Sequence, residues 1–185
     1  MKRIYSVLVE NHSGVLCKVA GLFSRRCFNI DSLAVGETQD RDVSCMTIVS
    51  SGDKRTIEQI EKQLNKKLDV IKVKTFDEGS SISRELLLMK VKYNKSNRRD
   101  IIEMCEITDN ANIVDFSPHT MMIQMCDTTE KIETFMEMFK GISIVEVART
   151  GTLALQKCKE TDELPLTFAH QRSRICTSIN QKKSD

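Results

Sequence analysis

The sequence predicts an α+β protein that contains two tandem copies of one βαββαβ unit. Three observations lead to this prediction: alternating apolar runs of strand length, apolar residues that recur every three to four positions between those runs, and the same order of elements in both halves of the chain. The chain has 185 residues, of which 40% are hydrophobic and 29% are charged, and this composition suits one or two small globular domains.

The first copy is predicted over residues 2–77. Its elements in order are a strand at 4–9, a helix that follows directly, strands at 28–38 and 43–49, a helix that opens at 51–53 and a strand at 70–74. The second of these strands is expected to carry its apolar positions at Ile30, Leu33 and Val35. Each helix is expected to bury one face, formed by Leu16, Val19, Ala20 and Phe23 in the first and by Ile57, Ile60, Leu64 and Leu68 in the second.

The second copy is predicted over residues 82–155, after a linker-like run at 77–81. Its elements in order are a strand at 84–93, a helix at 96–108, strands at 111–116 and 120–126, a helix at 128–139 and a strand at 142–148. The sequence itself repeats, since VIKV at 70–73 is similar to IVEV at 144–147, and two ferredoxin-like domains are the simplest interpretation. Periodicity fades from residue 156, and we expect 156–185 to form a mobile, disordered tail.

Composition argues against several classes of function. The net charge of +2 is too close to neutral to indicate nucleic acid or an anionic membrane as a partner. No apolar run approaches the roughly 20 residues of a membrane span. The seven cysteines include no CxxC pair, so we expect no metal site and a reducing compartment. A strand is predicted to begin by residue 4, and we therefore expect no targeting segment before it.

The strongest candidate for a binding site is the corner between the first strand and the first helix, residues 10–16. The first turn of a helix has N–H groups without internal partners, so a small anion could bind there. Gly14 would allow a close approach of the backbone and a positive φ. Asn, Ser and Gly are also ordinary helix caps, and capping alone could explain this stretch. The second copy, however, has no glycine at the corresponding corner, 94–97.

Catalysis is poorly supported by the sequence. The histidines fall in loops (His12 and His119) or in the tail (His170), and the pattern places no orienting carboxylate beside His12. Glycine-rich phosphate-binding motifs are absent. An RNA-recognition module with the same order of elements would need aromatic residues on its central strands, and the run at 43–49 has none. What remains is a binding module whose sheet edges pair in a symmetric dimer.

Several stretches resemble a known family. VLVENHSGVL (7–16), VAGLFSRR (19–26) and FNIDSLAVG (28–36) look like the ACT domain of the small, regulatory subunit of acetolactate synthase, also called acetohydroxyacid synthase. Further similar stretches are MTI (46–48), IEQIEKQL (57–64), REL (84–86) and IVEVARTG (144–151). The resemblance covers roughly residues 2–155 and leaves the tail uncovered.

This resemblance implies a subunit without catalysis of its own. Such a subunit binds and activates a large catalytic subunit, which carries thiamine diphosphate, magnesium and FAD, and it confers feedback inhibition by valine or another branched-chain amino acid. Carried over by position, the effector site of a homodimer combines the corner of one chain with the loop after the first helix of the other. Its residues are Asn11, His12, Ser13, Gly14, Val15 and Leu16 from one chain, with Asn29 and Ile30 from its partner.

Family members often have an acidic residue followed by Ser or Pro where this chain has His12-Ser13. The sequence does not rank valine, leucine and isoleucine as effectors, because one methylene group changes affinity only by about 1–3 kcal/mol. Two alternatives from other classes are a free-standing amino-acid sensor and a transcription regulator, which would need a DNA-binding helix pair. A small ferredoxin-like enzyme is a third. For localisation, the bacterial cytoplasm and the plastid stroma are both compatible with the sequence.

Overall fold

The structure is a computed structural model that describes residues 1–76 and 79–158. The elements in order are β1 (Lys2–Glu10), α1 (Val15–Arg25), β2 (Ser32–Glu37), β3 (Val43–Ser51), α2 (Lys54–Leu64), β4 (Val70–Phe76), β5 (Ser81–Lys92), α3 (Arg98–Glu106), β6 (Ala111–Phe116), β7 (Thr120–Asp127), α4 (Thr129–Met138), β8 (Ile144–Arg149) and β9 (Leu153–Gln156). The predicted fold class, two tandem βαββαβ units, is confirmed.

The chain forms two compact units. Of the described residues, 1–31, 35–76, 79–81 and 156–158 belong to the first, and 32–34 together with 82–155 belong to the second. The tail was predicted from residue 156, but Gln156 is the last residue of β9, and the tail beyond 158 lies outside the described residues. In the part of the chain that the structure describes, no helix is long and apolar enough to cross a membrane.

The first unit has an antiparallel four-stranded sheet in the order β2-β3-β1-β4. In the central strand β1, Val7 lies opposite Met46 of β3 and Val73 of β4. Side chains alternate between the two faces of a strand, and Tyr5, Val7 and Val9 of one face are all 0% exposed. The Tyr5 hydroxyl donates to the Ile57 carbonyl of α2 at 3.3 Å, so this is the face on which α2 packs.

Three expectations about apolar faces in the first unit were wrong. In α1 the buried residues are Val15, Val19, Leu22 and Phe23, whereas Leu16 is 41% exposed. The buried face of α1 therefore has the predicted spacing of three to four residues, but it is rotated about the helix axis by roughly one residue from the predicted face. Strand β2 starts only at Ser32 and leaves Val35 46% exposed. Leu68 is 96% exposed because α2 already ends at Leu64.

The second unit has a sheet in the order β6-β7-β5-β8, and β9 also pairs with β5. The predicted strand at 142–148 is observed as β8, which starts two residues later, while β9 was not predicted. Both helices bury apolar side chains in a single core, in which the Phe135 and Phe139 rings meet edge to face. Its fully or nearly buried members are Leu87, Met89, Val91, Ile101, Cys105, Ala111, Met121, Ile123, Met125, Ile132, Phe135 and Phe139.

Two buried carboxylates lie directly opposite each other on β5 and β7 of this unit. Glu85 is 4% exposed and Asp127 is 3% exposed, and each has its own set of donors. The Arg149 guanidinium donates to both Glu85 oxygens, at 2.7 and 3.1 Å. Asp127 accepts from the Thr128 N–H at 2.7 Å and from the Lys131 ammonium at 3.1 Å. These bonds lower the pKa of Asp127 below its ordinary value, and the bond from the Thr128 N–H has the largest effect.

Candidate functional site

The corner has the backbone geometry that the sequence suggested. β1 ends at Glu10, α1 begins at Val15, and Gly14 between them has a φ of +89°. This left-handed conformation favours glycine, and a Cβ built there would meet nothing within 4 Å. The amides of Leu16 and Cys17 belong to the first turn of α1, where no helical carbonyl is available to them. The corner therefore combines open space with backbone donors at the positive end of a helix.

Asn11 ties the corner to the turn between β2 and β3. Its backbone N–H donates to the Asp42 carbonyl at 2.8 Å. Its side-chain amide donates to the Arg41 carbonyl at 2.7 Å and to the Glu37 carboxylate at 3.2 Å. Both side-chain N–H groups therefore have acceptors within the chain. The side-chain oxygen of Asn11 is the atom that could take part in ligand binding, as an acceptor.

Sequence reasoning missed the charged groups that surround His12. The His12 Nε2 atom lies 3.4 Å from the Glu10 carboxylate and 3.3 Å from the Asp69 carboxylate. The Lys18 ammonium donates to both Asp69 oxygens at 2.9 Å. The hydrogen bonds from Lys18 are the largest cause of the lowered pKa of Asp69. Lys18 and Asp69 are 51 positions apart in the chain, so no local pattern could have brought them together.

Glu10, His12 and Asp69 also have the ligand types of a metal site. One ligand atom from each lies within 4.8 Å of the others. The sequence did not predict this cluster, since no metal site was expected from it. The Asp69 carboxylate is already engaged, because the Lys18 ammonium bonds to both of its oxygens. The group has a simpler physical role as an ion-pair network that joins β1, α1 and the segment before β4.

Of the predicted apolar contacts, Leu16 and Val15 differ in exposure. Val15 is 2% exposed, so its side chain is part of the domain core and only its backbone faces the corner. Leu16 is 41% exposed at the first turn of α1. Ser13 accepts a hydrogen bond from His12 Nδ1 at its carbonyl, at 3.1 Å, and its own side chain is exposed.

Asn29 and Ile30 lie in the loop that follows α1. The Asn29 side-chain amide donates to the Asp31 carboxylate at 2.6 Å, and the Asn29 backbone carbonyl accepts from the Ser50 hydroxyl, also at 2.6 Å. Asn29 is exposed and Ile30 is half-buried. The 11 residues of α1 span about 16 Å, so this loop and the corner lie at opposite ends of the helix. Within one chain these two parts of the predicted site are too far apart to share a small ligand.

Two sequence profiles match the chain. The AHAS small subunit-like ACT domain matches residues 5–72, and the small subunit of acetolactate synthase matches residues 84–158. Together with the βαββαβ fold and the glycine corner, this defines the chain as an ACT-domain protein.

Relatives extend the match over most of the chain. A probable acetolactate synthase small subunit from Methanothermobacter thermautotrophicus is 43% identical over 159 residues, which cover 85% of this chain and 94% of the relative. The acetolactate synthase isozyme 3 small subunit of Escherichia coli K12 is 40% identical over 158 residues, with 85% and 96% covered. The crystal structure of the acetolactate synthase small subunit from Thermotoga maritima matches with a TM-score of 0.80 at 36% identity, covering 86% of this chain and 99% of that one.

The chain belongs to the acetolactate synthase small-subunit family. It is a regulatory, non-catalytic subunit, and a small subunit of this enzyme implies a catalytic large subunit as its partner. The resemblance stated from the sequence is confirmed at this level.

Proposed function

We propose that the chain binds and activates the catalytic subunit of acetolactate synthase and confers feedback inhibition by valine, leucine or isoleucine on it. In this proposal the thiamine diphosphate, magnesium and FAD belong to the catalytic subunit. The observation that carries the regulatory part is the corner, where a left-handed Gly14 leaves open space in front of the first-turn amides of α1. An amino acid has a carboxylate that such amides can bind.

The effector's groups can be assigned to atoms of the corner. Its carboxylate binds the N–H groups near Gly14, where the helix dipole adds to the attraction. Its ammonium is bound by side-chain oxygens. Both Asn11 amide hydrogens already have acceptors within the chain, and Asn29 donates to Asp31, so the amide oxygens are the atoms offered to a cation. Its aliphatic side chain packs against the exposed Leu16, and Ile30 adds apolar surface. Val15 supports the corner from inside the core.

The effector site is completed by a second copy of the chain. Asn29 lies in the loop beyond the far end of α1, a helix about 16 Å long that begins at the corner, so it can reach an effector there only from another chain. A homodimer paired through its ACT domains would supply that second chain. An effector held between two chains stabilises one arrangement of the dimer over others, and this is a physical route from binding to inhibition.

The function is tested by reconstitution with a catalytic subunit. The purified chain is added to a thiamine-dependent acetolactate synthase large subunit, and acetolactate formation is measured with and without each branched-chain amino acid. We expect a complex, a rise in rate, and inhibition by at least one of the three amino acids. No complex and no change in rate would refute the proposal, and would leave a free-standing amino-acid sensor as the alternative.

The shared site is tested by mixing two defective chains. Gly14→Asp disrupts effector binding at the corner, and Asn29→Ala removes the contact that the partner chain contributes. Each homodimer alone is therefore expected to lose feedback inhibition. A co-expressed heterodimer has one site with both defects and one site with neither. We therefore expect the mixture to recover part of the inhibition, whereas a site built within one chain would recover none.

A further inference from the structure

We infer that Asp69 is a positioning residue for the effector corner, residues 10–16. It restrains the conformation of the corner through its hydrogen bonds with Lys18 and Glu10. This inference rests on the proposed function, since the corner is taken to bind the effector. Asp69 lies between α2 and β4, outside the stretch 10–16, and its side chain is only 17% exposed. It does not need to contact the effector itself.

Asp69 fixes the strand side of the corner through its backbone. Its carbonyl accepts from the Glu10 N–H at 3.0 Å, at the last residue of β1. The pairing of β1 with β4 shifts register between Leu8 and Val9, so the regular ladder is interrupted just before the corner. The bond from Glu10 to Asp69 therefore extends the attachment of β1 on its β4 side past this irregularity, while on the other side β1 pairs regularly with β3 as far as Glu10 opposite Val43.

Asp69 fixes the helix side of the corner through its carboxylate. Both oxygens accept from the Lys18 ammonium at 2.9 Å. The Lys18 backbone N–H donates to the Gly14 carbonyl at 2.9 Å, so Lys18 belongs to the turn that Gly14 opens. One residue thus restrains the strand end and the first helical turn, the two segments that Gly14 connects. His12, between them, also contacts the Asp69 carboxylate, at 3.3 Å.

The effect on function follows from where the effector's carboxylate binds. Amide donors stabilise a bound anion only if they already point at it, and a first turn that moves loses part of this arrangement. Removing the charge of Asp69 releases the Lys18 ammonium while the backbone bond to Glu10 can persist. Mutations in such supporting networks change the coupling between ligand and response by roughly 2- to 30-fold.

The same unit offers a matched control pair. Glu58 and Lys62 on α2 form an ion pair at 3.9 Å, both side chains are exposed, and they lie one helical turn apart. This pair has no contact with the corner among the described residues. Lys62→Met removes an ammonium from an ion pair of the same unit, as Lys18→Met does, so a general effect of lost charge would appear in both variants.

The experiment measures the half-inhibitory concentrations of valine, leucine and isoleucine on the reconstituted enzyme, together with the melting temperature of each variant. Asp69→Asn and Lys18→Met are each expected to raise the half-inhibitory concentration of the effective amino acid by about tenfold. Lys62→Met is expected to leave it unchanged. The charge-reversed double variant Asp69→Lys with Lys18→Asp is expected to recover most of the lost sensitivity, because it restores the ion pair between the same two positions.

The outcomes separate this inference from the function on which it rests. Unchanged sensitivity in Asp69→Asn, while Gly14→Asp loses inhibition, would overturn the positioning role and leave the proposed function standing. A loss in Asp69→Asn that the double variant does not recover would also overturn it, since general destabilisation would then explain the loss. Wild-type enzyme that none of the three amino acids inhibits would overturn the function and the inference together.

Discussion

Replacing Gly14 by Asp or by Asn separates the charge of the effector site from its backbone geometry. At φ +89° either side chain occupies a left-handed conformation, at a cost of about 1–2 kcal/mol that both variants share. No atom lies within 4 Å of a Cβ at this position, so neither residue clashes in the free protein. The two side chains have nearly the same shape, and the variants differ by one negative charge.

That charge is expected to abolish most of the feedback inhibition. A carboxylate about 5 Å from the effector carboxylate costs roughly 3 kcal/mol at an effective dielectric constant near 20, and somewhat less at an exposed corner. The half-inhibitory concentration should therefore be about 10- to 100-fold higher for Gly14→Asp than for Gly14→Asn. The assay is acetolactate formation by the reconstituted enzyme over a series of effector concentrations. Equal half-inhibitory concentrations for the two variants would refute the proposal that the effector's carboxylate binds here.

Three predictions concern stability and are measured by chemical or thermal unfolding. Leu64→Ala removes a fully buried side chain and should cost about 2–5 kcal/mol, whereas Leu68→Ala, at a position 96% exposed, should change stability by less than about 0.5 kcal/mol; similar losses at both would show that α2 extends beyond Leu64. Arg149→Met removes two donors from a buried carboxylate and should cost about 3–5 kcal/mol; a neutral result would mean that the pair adds no stability. The pKa of Asp127 is lowered by folding, so the unfolded chain takes up this proton first as the pH falls. The unfolding free energy should therefore decline below about pH 4, and less steeply in Asp127→Asn; equal slopes would contradict the assignment.

The fold could be predicted because its signals are local. Strand β1 is a short apolar run between charged residues, and Asp53 caps α2 by accepting from the Thr56 N–H at 2.7 Å. The phase of a helix is harder to predict, because Val15 and Leu16 are both apolar and only the packing of α1 decides which of them is buried. Strand β9 has four residues, too few for a periodic signal to identify it.

The candidate site divides in the same way. Gly14 was identifiable because a glycine at a strand-to-helix junction has a local conformational reason, which the φ of +89° bears out. The network of Asp69 with Lys18 and His12 could not be identified from the sequence, because it depends on β1 lying beside β4 in the folded unit. The separation between Asn29 and the corner likewise could be recognised only once the length of α1 was known from the structure.

The effector site proposed for this chain is tested by the binding of branched-chain amino acids to the isolated chain. Isothermal titration calorimetry of the full chain with valine, leucine and isoleucine, without any catalytic subunit, asks whether this chain itself holds the effector. We expect saturable binding of at least one of the three, weakened by about 10- to 100-fold in Gly14→Asp. If the isolated chain binds none of them while the reconstituted enzyme is still inhibited, the corner at residues 10–16 is not the effector site.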